Sequence, residues 1–417
     1  MTTVEGADQD AAGQARQAPL AWRGGFGRLW GAAVVSRFGD ALRGAALPLL
    51  AVSLTDSPVL VSLVTACGFL PWLLFGLLGG ALADRVDQRR AMWAVDAARG
   101  ALMAAFAVAV WLGHATIGLL LALAFALTTL QTLFDNAATA LLPSVVPREA
   151  LSRANARLMT GQEVMGRFVG APLVPVALGL GAAVPYAADA VSYLAAAALV
   201  ASLGGGARAA RREPRAPGRT IRKDMAEGVR VLWRDRLLRA LCVSTTLCNV
   251  GIGALIATLV LHITGWLGAG DAGYAAVITA YGIGGVLGGL VAARVAERLG
   301  RAPTIMVCGL AQIAALLALG TIRALPAAVA ALAVFGLAGM IWNITEVTMM
   351  QQRSPAEMLG RVSAAFRTLS IAGSPLGALL GGVSAAAWGL NTPALAAAAL
   401  FVGGLVALVP GMRSPIN

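Results

Sequence analysis

Charge is what this sequence has least of. Only 12% of its 417 residues are Asp, Glu, Lys or Arg, where a soluble domain carries roughly 25%. A globule of this composition could not cover itself with polar groups, so hydrocarbon must be the solvent for much of its surface. Histidine is limited to His114 and His262, and the four cysteines, Cys67, Cys242, Cys248 and Cys308, all fall in or beside apolar runs. No Cys-x-x-Cys pair occurs among them, so a structural zinc site, which gathers four ligands, is not expected. No nucleophile arrangement or histidine cluster appears, which argues against an enzyme. No Gly-x-x-x-x-Gly-Lys segment is present, so this chain is not expected to draw energy from ATP. No cofactor is expected. The stretch from Met1 to Leu20 is polar and lacks the apolar core of a cleaved signal peptide.

What is present is apolar: 58% of the residues. A bilayer core about 30 Å thick takes roughly 20 apolar residues per spanning helix. Such runs lie near 29–54, 58–83, 91–112, 115–141, 158–182 and 184–205, and again near 237–264, 272–293, 303–322, 325–349, 362–387 and 392–411. The expected fold is therefore an all-α integral membrane protein of twelve transmembrane helices in two six-helix halves. A tail covers 1–28, the N-terminal half 29–205, a basic linker 206–236, the C-terminal half 237–411, and a second tail 412–417.

The net charge of +12 does not point to nucleic acid, because the basic residues sit between apolar runs and are not interleaved with aromatic ones. Of the 32 Lys and Arg residues, 26 fall on one side of the alternating loops, Arg323 alone falls on the other, and five lie within spans. Positive charge collects on the cytoplasmic side, so both termini and the linker are expected there, in a multi-pass cell-membrane protein. Basic residues at headgroup level are also expected to meet membrane lipids.

The halves repeat. Pro147-Arg148-Glu149-Ala150-Leu151-Ser152-Arg153 follows the fourth span, and Pro355-Ala356-Glu357-Met358-Leu359-Gly360-Arg361 follows the tenth. Gly170-Ala171-Pro172-Leu173 in the fifth span echoes Gly373-Ser374-Pro375-Leu376 in the eleventh. Two parallel bundles about a shared cavity is a transporter architecture.

The loop segment Gly80-Ala81-Leu82-Ala83-Asp84-Arg85-Val86-Asp87-Gln88-Arg89-Arg90 resembles the signature of the major facilitator superfamily between its second and third spans. Ser36, Gly39-Asp40 and Asp96-x-x-Arg99 resemble the branch that contains enterobactin and macrolide exporters. The resemblance covers essentially the whole chain and implies small-molecule export. Physically, Asp84 would meet the positive N-terminus of a partner helix, and Arg85, Arg89 and Arg90 would bind carboxylates or lipid phosphates. They would then latch the halves together; the alternative is that they are plain positive-inside anchors.

Ionisable residues within spans cost several kcal/mol unless they face a cavity or a partner. Arg37, Asp40 and Arg43 are spaced three apart in the first span, and Glu163 precedes Arg167 by four in the fifth, both helix-face spacings. Asp40 and Glu163 are the proton-coupling candidates, in competition with a static pairing to the adjacent arginines. Arg43, Phe134, Arg167 and Trp342 are the candidates for the substrate cavity. Asp96, Arg99, Asp135, Glu346 and Arg367 are expected toward the cytoplasmic helix ends, as gating ion pairs beside the loop motif. Asp189 is expected near the outer end of the sixth span. The expected activity is export of a hydrophobic or amphipathic small molecule by proton antiport, from a monomer. Uptake symport of a small nutrient and a non-transporting membrane receptor or enzyme are the alternatives.

Overall fold

The computed structural model describes residues 24–83, 87–146, 154, 157–158, 160–162, 164–203, 221–355 and 358–412. Every regular element among them is helical, as hydrocarbon demands, because a spanning helix satisfies its own backbone hydrogen bonds.

The N-terminal half contains α1 (Gly25–Leu54), α2 (Pro58–Ala83), α3 (Gln88–Trp111) and α4 (Ile117–Val145). Its fifth span ends in a π-helical turn Val164–Gly170, a 3-10 turn Ala171–Leu173 and α5 (Val174–Leu180), and α6 (Val184–Ala201) closes the half. The linker contributes α7 (Ile221–Arg234). The C-terminal half contains α8 (Arg236–Leu261), continued by a π turn His262–Trp266, then α9 (Gly270–Leu299), α10 (Arg301–Thr321) and α11 (Leu325–Arg353). Its eleventh span is made of α12 (Leu359–Ile371) and α13 (Gly373–Trp388), and α14 (Thr392–Met412) is the last.

Nine spans among the described residues are long and apolar enough to cross a bilayer by themselves. The first span is not among these nine because Arg37, Asp40 and Arg43 interrupt it. The helix starts are written in side chains. Asp87 accepts from the Arg90 amide at 3.0 Å, Thr116 from Leu119 at 3.2 Å, and Asp235 from Leu237 and Leu238 at 2.9 and 3.0 Å. Each satisfies amides that the helix itself leaves open.

The repeated Gly-x-Pro-Leu motif is where both halves depart from α geometry, in the π and 3-10 turns of the fifth span and at Ala372 in the eleventh. Pro172 and Pro375 each lack the amide that would close the helical hydrogen bond one turn back. The eleventh span crosses α8 very closely. A Cβ at Gly377 would overlap the Val250 carbonyl, and one at Gly253 would overlap that of Ser374, so small residues set this crossing.

One element departs from the sequence reading of the linker as a polar stretch. Helix α7 packs on α12, with Gly228 against the Arg361 backbone, Leu232 buried and Glu227 paired to Arg361 at 2.6 Å. Only one narrow face of α7 is apolar, so a search for continuous apolar runs passes over it.

The halves meet unequally at their two faces. At the face opposite the linker, one apolar core runs through both, from Leu42, Val61 and Tyr186 to Leu259, Val277 and Leu332. Ala66, Ala257 and Ala378 pack there across the divide, and a Cβ on Gly382 would overlap Ser62. Toward the linker face the core divides among the described residues. One cluster, with Phe26, Met92 and Leu141, belongs to the N-terminal half. The other, with Leu241, Ile305 and Val362, belongs to the C-terminal half.

Candidate functional site

A cavity of about 560 Å³ lies between the halves. Its walls come from the first, second, fourth and fifth spans on one side and the seventh, eighth and tenth on the other; Asp40, Arg43, Phe69, Ile256, Tyr274 and Leu332 all contribute. Most of this lining is apolar, and the charged residues on it, Arg37, Asp40 and Arg43, all come from α1.

Behind Asp40 and Arg43 stands a buried charge cluster. Arg43 Nη2 contacts Asp40 Oδ1 at 2.8 Å, and Arg43 Nε contacts Asp189 Oδ2 on α6 at 2.9 Å. On α3, Arg99 Nη1 contacts Asp96 Oδ1 at 3.2 Å, and Arg99 Nη2 reaches Asp40 Oδ1 at 3.5 Å. Arg99 also donates to Tyr193 at 2.6 Å and to Gln131 Oε1, while Tyr193 donates to Asp40 Oδ1. The Arg99 guanidinium lies 4.0 Å from the centre of the Tyr193 ring, a cation–π contact. Three carboxyl groups therefore share two guanidiniums. The side chains of Asp96, Arg99 and Asp189 are 0%, 1% and 0% exposed, against 15% for Asp40 and 19% for Arg43. The last two are the members of the cluster that face the cavity. Asp96 Oδ2 takes no hydrogen bond among the described residues.

Local sequence makes this meeting possible. A Cβ at Gly39 would overlap the Asp189 carboxyl and the Ser192 hydroxyl. A glycine immediately before Asp40 thus lets α6 come close enough for Asp189 to reach Arg43. Asp189 and Tyr193 are four apart on α6 and share one face of it.

A second cavity, of about 350 Å³, lies wholly within the C-terminal half. Thr245, Asn249, Gln312, Trp342 and Glu346 line it, and Ile252, Tyr281 and Phe335 belong to both cavities. The Glu346 carboxyl is buried and accepts from the Thr245 hydroxyl.

Several sequence expectations are relocated. Asp96 and Arg99, expected as gate residues at helix ends, join Asp40 in one cluster, so the division of these charges by depth does not hold: α1 and α3 bring their middles together. Glu346, also expected at the gate, lines the C-terminal cavity. Phe134, expected on the substrate cavity, is packed in the core of the N-terminal half, 5.9 Å from the Arg99 guanidinium. Arg89, expected to latch the halves, donates to the Val200 carbonyl at 3.3 Å and to that of Ala201. It thereby caps the C-terminus of α6 in its own half. Arg90 is exposed beside Asp87, 3.9 Å away, and Arg367 is exposed on α12. Arg43 lines the central cavity and Trp342 the C-terminal one. Asp84, Arg85, Glu163 and the side chains of Asp135 and Arg167 lie outside the described residues. Sequence reading assigned no role to Asp189, Tyr193, Thr245 or Gln312. For Asp189 the signal was there, as a carboxyl inside a span.

The sequence model of the Major Facilitator Superfamily matches residues 29–378 and again 241–416. The chain belongs to the major facilitator superfamily. As a member it is a multi-pass membrane transporter. An uncharacterized MFS-type transporter, y4rN of Sinorhizobium fredii, is 30% identical over 84% of this chain and 86% of its own length. The multidrug efflux pump Tap of Mycobacterium tuberculosis is 28% identical over 92% of both chains, and that of Mycolicibacterium fortuitum 25% over 92% and 95%. The crystal structure of the nucleoside transporter NupG shares the fold at a TM-score of 0.70 and 12% identity, covering 93% of this chain and all of NupG. A bacterial homolog of the human lysosomal transporter Spinster does so at 0.72 and 13%, covering 94% and 97%.

Proposed function

We propose that this major facilitator exports hydrophobic or amphipathic small molecules in exchange for protons, by tilting its halves about the central cavity, and that it catalyses no chemical conversion. The observation that carries the reading is the cluster of three carboxyls on two guanidiniums behind the cavity wall. The three carboxyls outnumber the two guanidiniums that touch them, so one can take a proton without leaving an arginine unpaired; Arg37, on the same cavity wall, adds a third positive charge nearby. Asp40 faces the cavity, which makes it the member of the set that can exchange a proton with it. Asp96 Oδ2, buried without a donor, is a second place for the proton to rest. Glu163 stays a candidate on sequence grounds alone.

The apolar lining suits an amphipathic cargo better than a sugar or other polyol. Relatives at 25–28% identity carry the name multidrug efflux pump, which favours export. The charge asymmetry of the loops supports a cytoplasmic linker face in a protein of the cell membrane. The arrangement with its core divided at that face is then the inward-open one, ready to load from the cytoplasm.

The test is accumulation of a ligand panel in a pump-deficient host, with and without a protonophore. Expression should lower the accumulation of at least one amphipathic compound, the protonophore should abolish the effect, and Asp40→Asn should reproduce that loss at normal membrane expression. Raised accumulation would show import instead. Export that persists unchanged in Asp40→Asn would remove the cluster from coupling.

A further inference from the structure

The two halves treat their buried carboxyls differently. In the N-terminal half, Asp40, Asp96 and Asp189 each have a guanidinium within 3.2 Å. Glu346 in the C-terminal half is buried as deeply, yet among the described residues no Lys, Arg or His lies within ion-pair distance of it. Its contacts are the Thr245 hydroxyl and the Trp342 indole one turn earlier on α11. An unpaired carboxylate in a membrane interior is expensive and points to a partner that comes and goes.

The surroundings describe that partner. The carboxyl borders an open space of about 350 Å³ with Trp342, Tyr281 and Phe335 around it. Gln312 lines the same space, and its Oε1 is buried without a donor. The cavity thus offers, among the described residues, one acceptor in want of a donor and one carboxyl with no cation beside it, together with aromatic rings that attract positive charge. A proton would need neither the volume, nor the second acceptor, nor the rings. We propose that this cavity is a binding site for organic cations bearing an amine, with Glu346 as counter-charge, Gln312 as second acceptor and Trp342 as the aromatic platform. The proposal rests on the exporter reading and gives its cargo a chemical class. Ile252, Tyr281 and Phe335 also line the central cavity, so the two spaces are next to each other.

The experiment measures binding of two probes to the detergent-purified full chain: ethidium, an aromatic cation with amino groups, and chloramphenicol, a neutral aromatic amide. Glu346→Gln should weaken ethidium at least about tenfold, as loss of one partner of a buried charge pair does, and leave chloramphenicol within about twofold, inside ordinary mutational scatter. Asn343→Asp changes an exposed residue on the same wall and should tighten ethidium, a readout that survives even if Glu346→Gln does not fold. Equal weakening of both probes by Glu346→Gln, or no gain in Asn343→Asp, overturns the cation site. Wild-type binding of chloramphenicol alone overturns it too, while leaving export standing. Binding of neither probe overturns the cation site, and if the accumulation assay is also silent the exporter reading falls with it.

Discussion

The hydroxyl of Tyr193 joins three spans, accepting from Arg99 Nη2 of α3 at 2.6 Å while donating to Asp40 Oδ1 of α1. Removing it isolates the worth of that bridge, because the ring itself also carries Arg99 on its face. Tyr193→Phe keeps the ring and should cost about 1.5–3 kcal/mol, the range for a hydrogen bond to a charged group. Tyr193→Ala loses the ring as well and should cost about 3–5 kcal/mol. Unfolding in mixed micelles, followed by tryptophan fluorescence, distinguishes the two; equal losses would mean the ring adds nothing beyond its hydroxyl, and an unchanged Tyr193→Phe would mean the hydroxyl contributes nothing.

Asp96 and Arg99 lie wholly out of solvent. Breaking such a pair from one side strands a charge, at about 3–5 kcal/mol. Arg99→Ala should be the worse of the two single changes, since it leaves Asp40 and Asp96 with one fewer guanidinium between them. The double change Asp96→Ala with Arg99→Ala should destabilise by less than the sum of the singles, as contacting residues do. Strict additivity in the same unfolding assay would contradict a coupled cluster.

Ser62 of α2 and Gly382 of α13 touch across the divide at the face opposite the linker. Ser62→Cys with Gly382→Cys should form a disulfide under mild oxidant once this contact widens, because a Gly382 Cβ would fall 2.9 Å from the Ser62 Cβ, where a disulfide takes about 3.8 Å. The cross-linked protein should lose transport, and reductant should restore it. The native cysteines, which are free, are controlled by the single variants. Undiminished transport with the bridge intact would show that this face never opens.

How much of this was legible beforehand follows from which forces act locally. Hydrophobic runs of bilayer length and loop charge reveal spans and halves, because hydrocarbon leaves so few alternatives. The bend in the fifth span was legible at Gly170-x-Pro172, since proline removes a backbone donor wherever it falls. The helix in the linker was not, because Leu232 becomes buried only when α12 supplies the opposite surface. The charge cluster was half legible. Arg37, Asp40 and Arg43 declare one helix face, and Asp96-x-x-Arg99 declares another. That the two faces converge depends on how α1, α3 and α6 cross, and Gly39 permits that crossing without announcing its partner. Glu346 was placed with the gate because sequence records distance along a helix and says nothing of a hollow beside it.

The ion pairs of the buried cluster lie within α1 and α3 or join α1 to α3 and α6, all in the N-terminal half, and none among the described residues reaches across to the other half. When the bundles swing, none of these salt links has to be torn and re-formed. The seam that must part is apolar, with alanine, glycine and serine at its closest contacts, and wetting it is cheap compared with separating ions in oil. The barrier to the swing is therefore set chiefly by contact area, and cargo or proton can bias it with only modest free energies.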